Sequence, residues 1–207
     1  MKFSEGLISI FETEVTEHFD NSFKLFNALT GFAAENISSM FVYEQSEKEK
    51  LKVGFKNRVF LYPIILSSYA GFEFLMQQLC QLVENNFDHR SSFDPFHRFD
   101  LKSSGKFLRG NDSDFSWSIN LFNDDLKKDW INLLAYQELR NAIAHYNGNF
   151  ETIPINKRGK YQKVHKIEGV YLSKNGTFLL EGSLPKEYIE FLHSFIKKLL
   201  SSIKSLA

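Results

Sequence analysis

The sequence predicts a mainly α-helical fold: a bundle of long helices with one small β-hairpin before the last of them. Three observations carry that reading. Apolar residues recur at three- and four-residue spacing over four separate stretches. Between the third and fourth stretches two short apolar runs flank Asn175-Gly176, a pair that turns a hairpin. The chain also carries 22 Phe, which fits a Phe-rich helical core better than a ligand site. A length of 207 residues suits a single domain with a substantial core.

In chain order, Leu7, Ile8, Phe11, Val15 and Phe19 open a first helix from Glu5 to about Phe41, continued by Phe23, Phe26 and Leu29, with Gly31 as a possible kink. Residues 1–50 form an N-terminal helical extension. The charged run 44–52 reads as a solvated face or a connection. Core helices with the motif described below occupy 55–150. The first of these carries Leu61, Ile64, Ile65, Ser68, Phe72, Leu75, Met76, Leu79, Leu82 and Val83 on one stripe, with Pro63 in its first turn and Asn85-Asn86 at its end. Glu73 stands beside that stripe, between Tyr69 and Gln77 at i−4 and i+4. Residues 87–124 read poorly. A short helix near Phe99–Leu108 fits, and Arg98, Lys102, Lys106 and Arg109 form either a solvated face or a substrate-facing basic edge.

A third helix starts at Asn123-Asp124-Asp125, residues suited to a cap and a first turn. It is apolar on two sides, as a central helix is, and stops at Asn147-Gly148. Residues 151–163 are polar and basic and read as a loop. A hairpin over 164–181 follows, then a last helix over 185–205 with Tyr188, Phe191, Leu192, Phe195, Ile196, Leu199 and Leu200 on its apolar side.

Charge and cysteine content narrow the function. Lys+Arg and Asp+Glu balance at 25 each, so any nucleic-acid binding needs a local patch. The single Cys80 excludes an internal disulfide and a cysteine-based zinc site, and its apolar surroundings suggest a buried small hydrophobe. One free thiol suits a reducing, cytoplasmic setting. The N-terminus is neither a signal peptide nor a membrane span. His89 and His97 lie near Asp88 and Asp94, but their spacing matches no standard metal site, so no metal or cofactor is expected.

The segment Arg140-Asn141-Ala142-Ile143-Ala144-His145 carries the chemistry. Arginine offers a fixed, forked cation for a phosphate, and histidine exchanges protons near neutral pH. On a helix, Asn141 and His145 at i, i+4 share a face, whereas Arg140 and His145 stand about 140° apart. The long Arg140 stem can swing toward the helix end, or a second copy across a two-fold axis can complete the cleft. RNA supplies its own 2′-OH nucleophile, so an enzyme need only move protons and stabilise charge on the phosphorus. A structural alternative stays open: Arg140 pairing with Glu138, Asp129 or Glu73, and His145 capping carbonyls.

These residues resemble the HEPN superfamily, small helical bundles that include many metal-independent ribonucleases with an Arg-x4–6-His motif. Arg140, Asn141 and His145 match that motif, and Leu139 to Tyr146 is similar to a typical instance. The stretch Ser67 to Leu75 resembles the family's early helix, which often carries an acidic residue near the active site; Glu73 is the matching position. The resemblance spans residues 55–205 in general layout, and the hairpin and terminal helix look like decorations of bacterial defence and toxin families. It implies an RNA endonuclease of toxin or antiphage type, leaving a 2′,3′-cyclic phosphate and a 5′-OH. Arg140 would bind the scissile phosphate, His145 would exchange protons, Asn141 would orient the phosphate or His145, and Glu73 would hold Arg140 or His145. A homodimer in which the two motifs meet, and an antitoxin or defence-system partner, are implied as well. Tyr146 directly follows His145, with Asn147 where some family toxins carry tyrosine, so no tyrosine modification is carried over. The competing expectations are a catalytically silent module that binds a protein or nucleotide, and a purely structural helical protein.

Overall fold

A computed structural model of the chain describes residues 5–40, 53–86, 104–105, 107–108 and 122–205. The charged run 44–52, the basic residues Arg98, Lys102, Lys106 and Arg109, and the His89/His97 set lie outside them. The fold is mainly α. Among the described residues it has α1 (Glu5–Met40), α2 (Tyr62–Asn86), α3 (Asp124–Tyr146), α4 (Ile155–Tyr161), β1 (Val170–Leu172), β2 (Phe178–Leu180) and α5 (Leu184–Lys204).

Two elements differ from the sequence reading. The rod of α2 begins earlier, at Val53, and passes through a π-turn at Asn57–Leu61, where the Tyr62 N–H bonds to the Asn57 carbonyl. This wider turn sits directly ahead of Pro63, which has no N–H to add to the ladder. The hairpin is shorter than 164–181. Its strands pair Val170 with Leu180 and Leu172 with Phe178, and a 3-10 turn occupies Gln162–Lys166. Val164 is the buried residue of that turn, and Ile167 follows it in extended backbone ahead of β1. Elsewhere α1 runs unbroken through Gly31, and the described residues Ser104, Gly105, Phe107 and Leu108 are helical, inside the short helix expected there. Cys80 is buried.

The chain divides into two compact units: Met1–Phe19, Ala70–Trp130 and Leu192–Ala207 in the first, Asp20–Tyr69 and Ile131–Phe191 in the second. The first unit is built on aromatic packing. Phe195 lies edge-on to Phe72 and Phe122 and against Trp130, with ring centroids 6.1–6.2 Å apart. Phe19, fully buried, stacks on His193 at 4.7 Å and meets His18 edge-on at 4.9 Å. His18 lies so close over Gly71 that a Cβ there would fall 1.8 Å from its ring. Such edge and stacked pairs add to what their burial contributes. Lys198 pairs with Asp129 and Lys204 with Glu12 on the surface, where ion pairs contribute little.

In the second unit the hairpin is tied down from two sides. Buried Asn57 accepts a hydrogen bond from the Leu180 N–H (2.6 Å) and donates to the Val53 carbonyl (3.0 Å), so its amide satisfies an otherwise open strand edge. The Tyr62 hydroxyl donates to the Phe178 carbonyl. Burial pushes that hydroxyl up to about 12 despite the opposing Arg58 cation. On the other side the Phe178 N–H donates to the Gly148 carbonyl and the Phe150 N–H to the Gly176 carbonyl, both at 2.7 Å. The hairpin therefore fixes the backbone that leaves α3.

Among the described residues one helical run, Val53–Val83, is long and apolar enough to cross a membrane. Of its most apolar window 56% is buried within the protein, as in a core helix.

Candidate functional site

The site is assembled where α3 ends. Its start is capped as the sequence predicts: the Leu126 N–H donates to the Asn123 side chain at 2.9 Å. Leu139 and Ala142 are fully buried and Ile143 nearly so, which fixes the rotation of the helix. The end is set by backbone conformation. Asn147 (φ 50°) and Gly148 (φ 66°) are both left-handed, and the Gly148 N–H reaches back to the Ala142 carbonyl at 2.9 Å. A Cβ on Gly148 would come within 2.2 Å of the Tyr62 hydroxyl, so this position takes glycine for conformation and space together.

The chain then doubles back. Asn149 bridges Thr177, a 3-10 turn follows at Phe150–Thr152, and Pro154 leads into α4. Arg158 locks the return. It donates to the carbonyls of Ile153 (3.0 Å) and Glu151 (2.8 Å), pairs with the Glu151 carboxylate at 3.1 Å and lies over the Phe150 ring at 5.3 Å. The result is an open cleft of about 450 Å³ lined by Asn141, His145, Tyr146, Lys157, Lys160 and Tyr161.

Asn141 and His145 thus share a wall, as their i, i+4 spacing requires. His145 is exposed. Arg140 is half-buried and is not in that wall. Its guanidinium lies 5.4 Å from the centre of the Tyr69 ring and donates to the Asn141 side-chain oxygen at 3.0 Å. A guanidinium can only donate, so this bond fixes the Asn141 amide with its oxygen toward Arg140 and its NH₂ turned away. Glu73 is half-buried on α2 and belongs to the first unit.

Two carboxylates considered as structural partners for Arg140 are engaged by lysines. Asp129 pairs with Lys198, and Glu138 lies 3.7 Å from Lys160. The Glu138 Oε2 atom is buried and accepts no hydrogen bond. Buried Tyr161 backs the cleft, edge-on to Tyr146 at 5.8 Å. Burial first, then the Glu138 carboxylate and Tyr146, push its hydroxyl up to about 12, so it stays a neutral hydrogen-bonding group at any working pH. Among the described residues no group of three His, Cys, Asp or Glu is placed to hold a metal ion.

Sequence reasoning placed Asn141 and His145 but missed Lys157, Lys160 and Tyr161, because it took 151–163 for a loop. The available signal was Pro154, which suits the start of a helix, ahead of a run of basic residues.

No family model, no curated protein and no solved structure matches this chain, so the functional reading rests on its own residues.

Proposed function

We propose that this chain is a HEPN-type, metal-independent RNA endonuclease, acting in the cytoplasm as a toxin or antiphage effector. The observation that carries the reading is the cleft that His145 and Asn141 line together with Lys157 and Lys160. Net charge offers no attraction for RNA, and this cleft supplies it locally. The 2′-oxygen attacks the adjacent phosphorus as its proton leaves. The bond to the 5′-oxygen breaks, and that oxygen gains a proton. His145 exchanges one or both of these protons. Lys157 and Lys160 offset the phosphate charge, and the Asn141 NH₂ offers a donor to a phosphate oxygen. Arg140 aims Asn141 from behind. In a homodimer whose motifs face each other, the partner's arginine and histidine complete the constellation. An antitoxin or defence-system partner would hold the activity in check.

The test is cleavage of bulk and defined RNA in EDTA, wild type beside His145→Ala and Arg140→Ala, with end-group analysis. Cyclic phosphate ends that vanish in both folded variants support the reading. A second reading, a catalytically silent module binding protein or nucleotide, is favoured by the engagement of Arg140 with Tyr69 and Asn141 outside the cleft wall. Under that reading a folded dimer cleaves nothing, and His145→Ala changes nothing.

A further inference from the structure

Beside the 3-10 turn that follows α4 lies a second cleft, of about 350 Å³. Its residues come from three elements. Ile131 and Tyr136 belong to α3, Lys163 and Lys166 to the 3-10 turn, and Phe191 to α5. Tyr136 and Phe191 are half-buried, their ring centroids 5.2 Å apart, and Tyr136 backs onto fully buried Tyr188 at 4.8 Å. Both rings are therefore held rigidly, each with part of its surface open. Lys163 and Lys166 are exposed. One carboxylate, Glu168, also lines the cleft.

The segment between the clefts is the most basic stretch among the described residues. Residues 157–166 carry Lys157, Arg158, Lys160, Lys163, His165 and Lys166 and no acidic residue. Arg158 is spent on the fold, and His165 packs on Phe150 and Phe178 at 5.6 Å. The other four are lysines in two pairs, of which Lys160 lies 3.7 Å from the Glu138 carboxylate. Lys157 and Lys160 line the cleft of His145, and Lys163 and Lys166 line the second. Three residues of tight helix advance about 5–6 Å from one pair to the next.

We infer that the second cleft is a nucleotide-binding subsite for single-stranded RNA running along this lysine rail, one base resting on Tyr136 and Phe191 and its phosphates on Lys163 and Lys166. Rigid aromatic faces beside lysines are the pairing that holds an unstacked base and its backbone. Exposed Glu168 can accept an N–H from a base edge, a donor that a phosphate does not have. A duplex, whose bases are stacked inward, cannot use the aromatic wall. The inference rests on RNA being the substrate at His145, yet the two can be separated.

The experiment is fluorescence anisotropy with a short, fully 2′-O-methylated single-stranded RNA, which has no free 2′-OH and cannot be cut. It uses the full chain in EDTA across a salt series. Each lysine that neutralises a phosphate on a single strand contributes about 0.7 to the log–log salt slope, so Lys163→Ala/Lys166→Ala is expected to lower the slope by about 1.4. Tyr136→Ala should weaken binding about tenfold or more, while Tyr136→Phe, which keeps the ring, should not. The two lysines are exposed, so their variant keeps its fold and carries the test if Tyr136→Ala does not. An unchanged slope in the double lysine variant overturns the inference and leaves the nuclease reading standing. Lysine-dependent binding without cleavage of ordinary RNA by wild type supports the subsite and counts against the nuclease. Equal binding of duplex RNA, or displacement by polyglutamate of matched charge, would show a generic anion surface and overturn the inference.

Discussion

The two clefts beside α4 are built from similar parts and differ in one. Each has a pair of lysines from the same short segment and a wall from α3, and each contains a tyrosine whose hydroxyl burial keeps neutral. Only the first contains a histidine. That difference divides the labour: a surface with cations and aromatic faces can hold a nucleotide, but transfer of a proton near neutral pH needs a group such as imidazole. The proposed chemistry therefore belongs to the His145 cleft and the proposed holding to the Tyr136 cleft.

The largest effect that could break this division is loss of His145. His145→Ala should lower RNA cleavage by about 10²–10⁴-fold, the usual contribution of a general acid or base. Its stability should change by no more than about 0.5 kcal/mol, because the side chain is exposed. Lys163→Ala/Lys166→Ala in the other cleft should leave the cleavage of a dinucleotide within a few-fold of wild type. The comparison fails if the two variants lose equal activity on a dinucleotide, too short to reach the second cleft.

A smaller effect separates two glycines near the first cleft. Gly148 is left-handed and lies against Tyr62, whereas Gly159, in α4, would give a Cβ no neighbour within 4 Å. Gly148→Ala should cost at least about 1–3 kcal/mol in a denaturant melt, from strain alone before the clash is counted. It should lower cleavage too, since that residue ends the helix turn holding His145. Gly159→Ala should stabilise by about 0.5–1 kcal/mol, because alanine is the better helix former and nothing obstructs it. A Gly148→Ala protein as stable as wild type would mean that the helix end does not fix the site.

The same residues show what could be read from sequence. The cap at Asn123, the stop at Asn147-Gly148 and the turn at Asn175-Gly176 were legible because each depends on a local requirement, a side-chain acceptor or a positive φ, that few residue types meet. Asn141 and His145 could be placed on one face because helical geometry alone puts them there. The lysines were not legible as part of the site. α4 has seven residues and buries only Tyr161, and Ile155, its one aliphatic side chain, is 83% exposed, so no apolar period marks it. What brings it back to His145 is the Arg158 anchor and the bridge at Asn149, both tertiary. Arg140 was legible as an unusual residue, but not its engagement with Tyr69, seventy-one positions earlier in the chain.

The smallest effect concerns the tyrosine behind the first cleft, and it appears only in alkali. In the folded chain Tyr161 is pushed from 10.0 to about 12 by burial, the Glu138 carboxylate and Tyr146. Between those values the unfolded chain releases a proton that the folded chain keeps, so the folded state binds more protons and stability must fall as pH rises. The contribution is complete below 10 and is lost as pH passes through about 12. Tyr62, held up to about 12 by burial under the hairpin, adds a fall over the same range. Denaturant melts at stepped alkaline pH should therefore steepen above 10, and Tyr161→Phe should flatten part of that slope while leaving the part due to Tyr62. Glu138→Gln should flatten it less, since burial is the larger cause and remains. If Glu138→Gln removed as much of the slope as Tyr161→Phe, the Glu138 charge and not burial would be setting Tyr161.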